Sequence, residues 1–362
     1  MNVPKLRFKE FNESYNIKEL NEITYNVASG KISKPVEDGN YNIYGSMGKI
    51  GTSNFYDYEG EKVLVARVGA NAGSVNKINE KCCISDNTLV LEPKDVLNDY
   101  LYYSLKHYNP QKLIFGSGQP LVTGGQLKKI KLGIPREKEQ LKVANFLSLL
   151  DKKIELQTKK IEDLKLFTFN TIKDLYNDAK CDTIKIQDIA TFYSGGTPTS
   201  SNKEFYSGTI PFIRSGEIHS CKTELYINED ALIKSSAKMI SKGDILYALY
   251  GATSGDVSIS KITGAINQAI LCIKPNNNIN KFYLYQVLKI KKEEILKKYL
   301  QGGQGNLSAE IIKNILIKLP SPEFQNSISK ISNDLEIKLE MEIQKLNKLI
   351  ELKKGLMQNM FV

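Results

Sequence analysis

At 362 residues the chain is too long for one small core and suits two domains of about 100 to 200 residues each. A hydrophobic content of 41% with 25% charged residues excludes a disordered tract, and an excess of 50 Lys and Arg over 40 Asp and Glu favours polyanionic partners. Five cysteines without a CxxC pair and two histidines exclude a zinc site; the N-terminus carries no leader pattern, and no apolar run approaches the ~18 residues of a membrane span. A cytoplasmic protein with reduced core thiols is expected.

Taken in chain order, the first half reads as short strands and helices that the second half restates, at a separation of about 182 to 185 residues. Ile17-Lys18-Glu19-Leu20 is answered by Ile184-Lys185-Ile186-Gln187, and Ser29-Gly30-Lys31 by Ser194-Gly195-Gly196. The strand-like Lys62-Val63-Leu64-Val65 leads to the glycine loop Gly69–Gly73, as Asp244-Ile245-Leu246-Tyr247 leads to Gly251–Gly255. Each copy then shows a β-branched run ending in proline, Thr88 to Pro93 and Ala269 to Pro275, and a tyrosine-rich helix near Tyr100-Tyr103 and Phe282-Tyr285. After Gly118-Gln119 and Gly303-Gln304 come a helical turn and an apolar strand closing at Pro135 and Pro320. Each copy, of about 135 residues, suffices for its own α/β domain. The framework glycines and prolines persist while the loops between them differ.

Beyond each closing proline the chain turns helical, from about Lys138 to Tyr176 and from Glu323 to Met360, interrupted only by Gly355. Val143, Leu147, Leu150, Ile154, Ile161 and Leu164, then Ile328, Leu335, Leu339, Leu346 and Leu349, recur at coiled-coil spacing. Gln157 and Glu342 are polar intrusions at matching positions; either a register-fixing pair or a locally solvated gap accounts for them. A helix of about 39 residues spans roughly 58 Å, longer than one domain requires, so its length serves spacing. The expected architecture is mixed α+β: a domain over 1–137, a helix over 138–178, a second domain over 179–322 and a helix over 323–362, the two helices pairing as an antiparallel coiled coil. Such pseudo-two-fold symmetry suits half-sites at a fixed separation, and non-identical domains suit an asymmetric bipartite target. A coiled-coil interaction scaffold that binds no DNA is the alternative.

The layout resembles the specificity subunits of type I restriction–modification systems. The resemblance covers essentially the whole chain and rests on Pro4-Lys5-Leu6-Arg7-Phe8, Ser194-Gly195-Gly196-Thr197-Pro198, Ile210–Ile218, Lys242–Leu246, Ile134-Pro135 through Glu139-Gln140, and Leu352–Leu356, in their order and duplication. It implies two target-recognition domains, each contacting one half of a bipartite DNA site, with the helices setting the spacer and docking two modification subunits. Those partners would bring S-adenosylmethionine, and a restriction subunit ATP and Mg, in a phage-defence system. The first copy departs from the pattern, running through Tyr41–Ser46 where the second has Ile-Pro-Phe-Ile-Arg-Ser.

No catalytic motif accompanies this layout. Asn109-Pro110-Gln111 lacks the second proline and the aromatic ring of an adenine-methyltransferase motif, and neither Gly69–Gly73 nor Gly302–Gly305 is followed by the Lys-Ser/Thr of a P-loop. His107 and His219 sit in no nucleophile pattern. The chain is therefore expected to be non-catalytic and to hold no cofactor or metal.

For reading bases, Arg suits guanine, while Asn and Gln suit adenine. Only four arginines occur, Arg7, Arg67, Arg136 and Arg214. Arg67 and Arg214 emerge at loops beside glycines, where a DNA contact and a loop-holding salt bridge both fit; Arg136 opens a helix and reads as structural. Ser215 beside Arg214, and Asn71, Thr253 and Ser254 in the glycine loops, are further candidates, followed by Tyr247, Tyr250, Lys31, Lys34 and Gln301. The lysines suit phosphates, which add affinity without specificity. Gln119 and Gln304 match across the copies and fit a shared framework role equally well.

Overall fold

The computed structural model of the chain describes residues 2–31, 34–46, 48–114, 119–300 and 306–362. It divides into two compact units, Met1–Lys159 with Ile343–Val362, and Lys160–Glu342.

The first half of the chain forms β1 (Asn16–Glu19), β2 (Thr24–Ser29), β3 (Tyr41–Gly45), β4 (Gly48–Ser53), β5 (Glu61–Ala66), β6 (Val75–Asn79), β7 (Cys82–Ile84), β8 (Thr88–Pro93), α1 (Asn98–Tyr108), α2 (Gly124–Lys128), β9 (Lys131–Ile134) and α3 (Glu137–Asp178). The second forms β10 (Thr183–Lys185), β11 (Ala190–Ser194), β12 (Ile210–Ile213), β13 (Leu225–Ile227), α4 (Glu229–Ile233), β14 (Lys238–Ile240), β15 (Ile245–Ala248), β16 (Val257–Ile259), β17 (Gly264–Ile266), β18 (Ile270–Pro275), α5 (Lys281–Leu300), α6 (Ala309–Lys313), β19 (Leu316–Lys318) and α7 (Pro322–Met360).

Both units share one plan. A four-stranded antiparallel sheet, β2-β8-β5-β6 or β11-β18-β15-β16, faces a small mixed sheet, β4-β3-β7 or β13-β12-β17-β14, in which β3 and β7, or β12 and β17, run parallel. A two-stranded ribbon, β1-β9 or β10-β19, closes each plan. Successive strand residues point to opposite faces, so Val63 and Val65 enter the core beneath the helices while Leu64 packs with Ile78, Cys82, Ile84 and Val90 on the other side. Ile245 and Tyr247 against Leu246 and Ala248 repeat the division. Burial on both faces explains why these strands read as continuous apolar runs.

The repeat is real, but its separation is not constant. Gly30 and Gly195 lie 165 residues apart, Gly69 and Gly251 182, and Pro135 and Pro320 185. The second copy therefore carries an insertion between β11 and β15, which holds the additional strand β14 and helix α4. Gly30 and Gly195 are nonetheless equivalent, because a Cβ would lie 2.1 Å from the Ile84 carbonyl oxygen at the first and 1.7 Å from that of Ile266 at the second.

The long helices α3 and α7 lie within two residues of their expected limits. In the first unit, Lys353 pairs with Asp151, and Met360 and Phe361 share a core with Val143, Ala144 and Leu147. In the second, Lys160 pairs with buried Glu342 at 3.0 Å, and Ile172 and Tyr176 share a core with Ile328. Residue numbers rise along one helix as they fall along the other, so the pairing is antiparallel in both units. Of the expected seam, Val143, Leu147, Leu150, Ile161 and Ile328 are buried; Ile154, Leu164, Leu335, Leu339, Leu346 and Leu349 are half-buried, as is Gln157.

Gly195→Ala is expected to cost about 3 kcal/mol of stability, the upper end of ordinary overpacking, because the obstructing atom is backbone. Gly216→Ala, with open space around its Cβ position, is expected to stay within about 0.5 kcal/mol. Thermal or urea denaturation of the two variants checks the contrast.

Candidate nucleic-acid interface

Three segments meet at the end of each large sheet, held by matched backbone hydrogen bonds. In the first unit Arg67 N–H donates to the Asn87 carbonyl at 2.9 Å, Val122 N–H to the Arg67 carbonyl at 2.8 Å, and Thr88 N–H to the Ser85 carbonyl at 3.1 Å. In the second, Leu249 N–H donates to Ala269 at 2.8 Å, Leu307 N–H to Leu249 at 3.0 Å, and Ile270 N–H to Asn267 at 3.3 Å. The glycine turns take the same shape, with left-handed φ of 81° and 83° at Gly69 and Gly73, and 89° and 82° at Gly251 and Gly255.

The side chains on this common frame differ. Arg67 is half-buried, its Nη1 3.5 Å from the Asp86 carbonyl, whereas buried Leu249 takes its place in the second unit. Tyr250, the next residue, donates its hydroxyl to the Gln268 carbonyl at 2.6 Å. Asn71 and its counterpart Thr253 are half-buried, and the Ser254 hydroxyl turns inward to the Leu249 carbonyl at 3.0 Å. Gln268 is exposed, and its Oε1 accepts from the Thr197 hydroxyl at 2.7 Å, which fixes the direction of the amide.

Arg214 stands on a separate turn that follows β12. Glu217 accepts from its backbone N–H at 3.1 Å, its Nε at 3.2 Å and its Nη2 at 3.4 Å, and exposed Glu224 takes a further bond from Nη2. Glu217 also accepts from the Thr223 hydroxyl at 3.2 Å and Glu224 N–H at 2.9 Å. Burial alone would raise the Glu217 pKa; the bonds from Arg214 and the two backbone amides outweigh it and hold the carboxyl below its usual range. Arg214 keeps 41% of its side chain exposed, and Nη1 has no hydrogen-bond partner among the described residues. The carboxylates thus orient the guanidinium and leave one edge for a ligand.

Other candidates separate clearly. Tyr247 is 0% exposed, sits in the second core and has a hydroxyl without a partner among the described residues, so it is corrected from a surface contact to a core residue. It lies one turn of strand alternation inside the glycine loop, on the helix-facing side. Ser215 is half-buried, Lys31 and Lys34 are exposed, and Lys31 lies 3.8 Å from Asp57. Gln301, with Gly118 and Gln304, lies outside the described residues. Arg7 is 12% exposed and grips buried Glu139 through two bonds of 2.8 Å, and Arg136 pairs with Glu13. Burial lowers the pKa of His107, which stacks on Phe361. No group of acidic, histidine and cysteine side chains among the described residues suits a metal ion, and no described helix is long and apolar enough to cross a membrane.

Sequence reasoning missed Gln268 and Thr197. The available signal was the equivalence of Asp86 and Gln268, 182 residues apart, just before matched strands β8 and β18.

The sequence matches the family described as type I restriction modification DNA specificity domain over residues 9–166 and 179–352. It is 30% identical over 178 residues to the type I restriction enzyme MjaIX specificity subunit of Methanocaldococcus jannaschii, covering 47% of this chain and 41% of the relative. It is 24% identical over 237 residues to the EcoR124I/EcoR124II specificity subunit of Escherichia coli, covering 62% and 59%. The chain thus spans about half the length of these curated relatives. The fold is similar to the crystal structure of a type I restriction–modification S subunit from M. genitalium, with a TM-score of 0.65, 18% identity and 99% of each chain covered.

Arg214→Ala is expected to weaken binding to the chain's own target duplex more than to a scrambled duplex, by about 1 to 3 kcal/mol if the free guanidinium edge reads a base. Fluorescence anisotropy on both duplexes decides; equal losses assign the residue to phosphate binding or loop support.

Proposed function

Since the chain belongs to the type I restriction modification DNA specificity family, we propose that it is the DNA-recognition subunit of a type I restriction–modification complex, with each unit reading one half of a bipartite target. The observation that carries this reading is the duplicated frame with unlike side chains, Arg67 against Leu249, Asn71 against Thr253 and Asp86 against Gln268. Two copies serving one target would have no physical reason to differ at the polar positions while keeping the hydrogen bonds beneath them. Arg, Asn, Gln and Thr present the donors and acceptors that distinguish base edges, and the lysine excess supplies phosphate affinity that falls steeply with salt.

The chain supplies recognition rather than chemistry on this reading. Methyl transfer with S-adenosylmethionine belongs to two modification subunits, and ATP- and Mg-dependent steps to a restriction subunit, all in the cytoplasm. A docking surface for the modification subunits is available in each unit. Leu149 and Leu156, two turns apart on α3, and Leu352 of α7 belong to the first unit; Ile337 and Met341 of α7 and Phe167 of α3 belong to the second. These six side chains are 50% to 68% exposed. Leu156 and Met341, and Phe167 and Leu352, are related by the same 185-residue separation as the closing prolines. Exposed apolar side chains at two matched positions of the repeated helices suit two copies of one partner.

Co-expression with the cognate modification subunit, followed by mapping of methylated adenines in a host without other methylases, tests the function. A two-part motif with a constant spacer that disappears without this chain is expected; a complex that assembles but yields no motif leaves an interaction scaffold. Leu156→Asp or Met341→Asp alone is expected to lower the complex by one modification subunit, and both together by two, as counted by native mass spectrometry. Both residues are exposed, so folding should change by no more than about 0.5 kcal/mol.

A further inference from the structure

The joint between each domain and the long helix that follows it is built on the same glutamine in both copies. Gln140, 3% exposed, donates its amide to the Pro135 carbonyl at 2.9 Å and accepts from Leu97 N–H, at the start of α1, at 2.8 Å. Gln325, 2% exposed, donates to Pro320 at 2.9 Å and accepts from Asn280 N–H, at the start of α5, at 2.9 Å. Two further contacts are matched. The Tyr100 hydroxyl donates to the Gly133 carbonyl and that of Tyr283 to the Lys318 carbonyl, both at 2.8 Å. The Tyr103 hydroxyl donates to Asp151 on α3 at 2.7 Å, and the Gln286 amide to Glu336 on α7 at 2.9 Å.

Each glutamine spans the last residues of the ribbon, the first turn of the long helix and the start of the domain's own helix with one amide. Its two bonds run to different segments: one ties it to the end of the ribbon, where the long helix starts, and the other to the start of α1 or α5. Unlike the loop side chains, these residues are the same in both copies, so they serve what two different readers have in common. Readers of a bipartite site share the need to face their half-sites at one separation and one rotation about the duplex. Adding one base pair to a spacer moves a half-site by about 3.4 Å and turns it by about 35°. A stiff helix of fixed length transmits a domain's direction only as well as its joint holds it.

We infer that Gln140 and Gln325 are positioning residues that set the spacer length of the DNA target. The inference rests on the proposed reading of the chain as a two-domain DNA reader, and extends it to a property distinct from which bases are read. Without the amide, α1 or α5 still packs on its long helix through the shared core but loses the directional bond that fixes its angle there, and the domain turns through part of the angle that separates neighbouring spacers.

The test is adenine-methylation mapping of the full complex carrying Gln140→Met, Gln325→Met, both together, or Tyr103→Phe, which deletes one hydroxyl at the edge of the joint. The half-site bases should stay as in the unsubstituted complex, while preference for one spacer over that a base pair longer or shorter falls about tenfold in the double variant, as expected for loss of buried hydrogen bonds, and by less in Tyr103→Phe. A variant that folds, shown by its thermal transition, and keeps a single spacer overturns the inference, as does a change in the half-site bases. Tyr103→Phe keeps this decisive if the glutamine variants do not fold. Should the unsubstituted complex yield no two-part motif, the DNA-reading function itself fails, and that outcome is distinct from a motif whose spacer ignores the joint.

Discussion

Burial of both faces of the central strands in the four-stranded sheets is the constraint on which the rest of each unit depends. Leu89 and Leu91 point into the helical core and Val90 into the second core, so β8 is buried on both faces from Thr88 to Leu91. Polar chemistry is thereby pushed to the strand ends, where chain reversal requires turns, and to the small sheet beyond. The left-handed glycines at these ends allow tight reversal while the adjacent backbone closes onto the turns before β8 and β18. A rigid platform with variable edges follows from packing alone, before any ligand is considered.

The same constraint explains how much the sequence discloses. Apolar runs ending in proline, and long helices at seam spacing, are local patterns and were legible as the mixed α+β fold with two long helices. Contacts between remote segments were not. Thr197 and Gln268 lie 71 residues apart and meet only because β11 and β18 are neighbours in the sheet. Tyr247 was legible as part of a strand-like run, but which face of the strand it takes was not, and strand alternation carries it into the core rather than toward a ligand. The uneven separation of the copies was hidden by the strong matches near the glycine turns; only the close approach of Gly30 and Gly195 to equivalent carbonyls establishes the earlier pairing.

Scarce arginine sharpens the division of labour among charges. Arg7 is committed to Glu139, a carboxylate that also accepts the Tyr15 hydroxyl at 2.8 Å, and Arg136 to Glu13. The bidentate geometry and the added tyrosine bond offset the desolvation of the buried ion pair. Lysines instead often lie over aromatic rings, as Lys81 does over Tyr56 at 4.7 Å and Lys289 over Tyr285 at 4.9 Å, their stems covering apolar surface. A positive surface built this way attracts a polyanion without committing to a sequence. Discrimination is then left to a few oriented groups at the turns.

Arg7 and Glu139 also make the two joints unequal. The position equivalent to Glu139 is Phe324, so the ion pair that ties the N-terminal segment to the start of α3 has an aromatic ring in its place at the start of α7. In the second unit α3 runs into β10 through a short connection, and Lys318 clasps the end of α3 through the carbonyls of Asn177 and Ala179. In the first unit Arg7, together with the bond from Leu6 N–H to the Asn359 carbonyl at 2.8 Å, fastens the segment before β1 to both long helices. A buried ion pair thus braces one joint and a lysine clasp on two carbonyls the other, while both joints are built on the same glutamine.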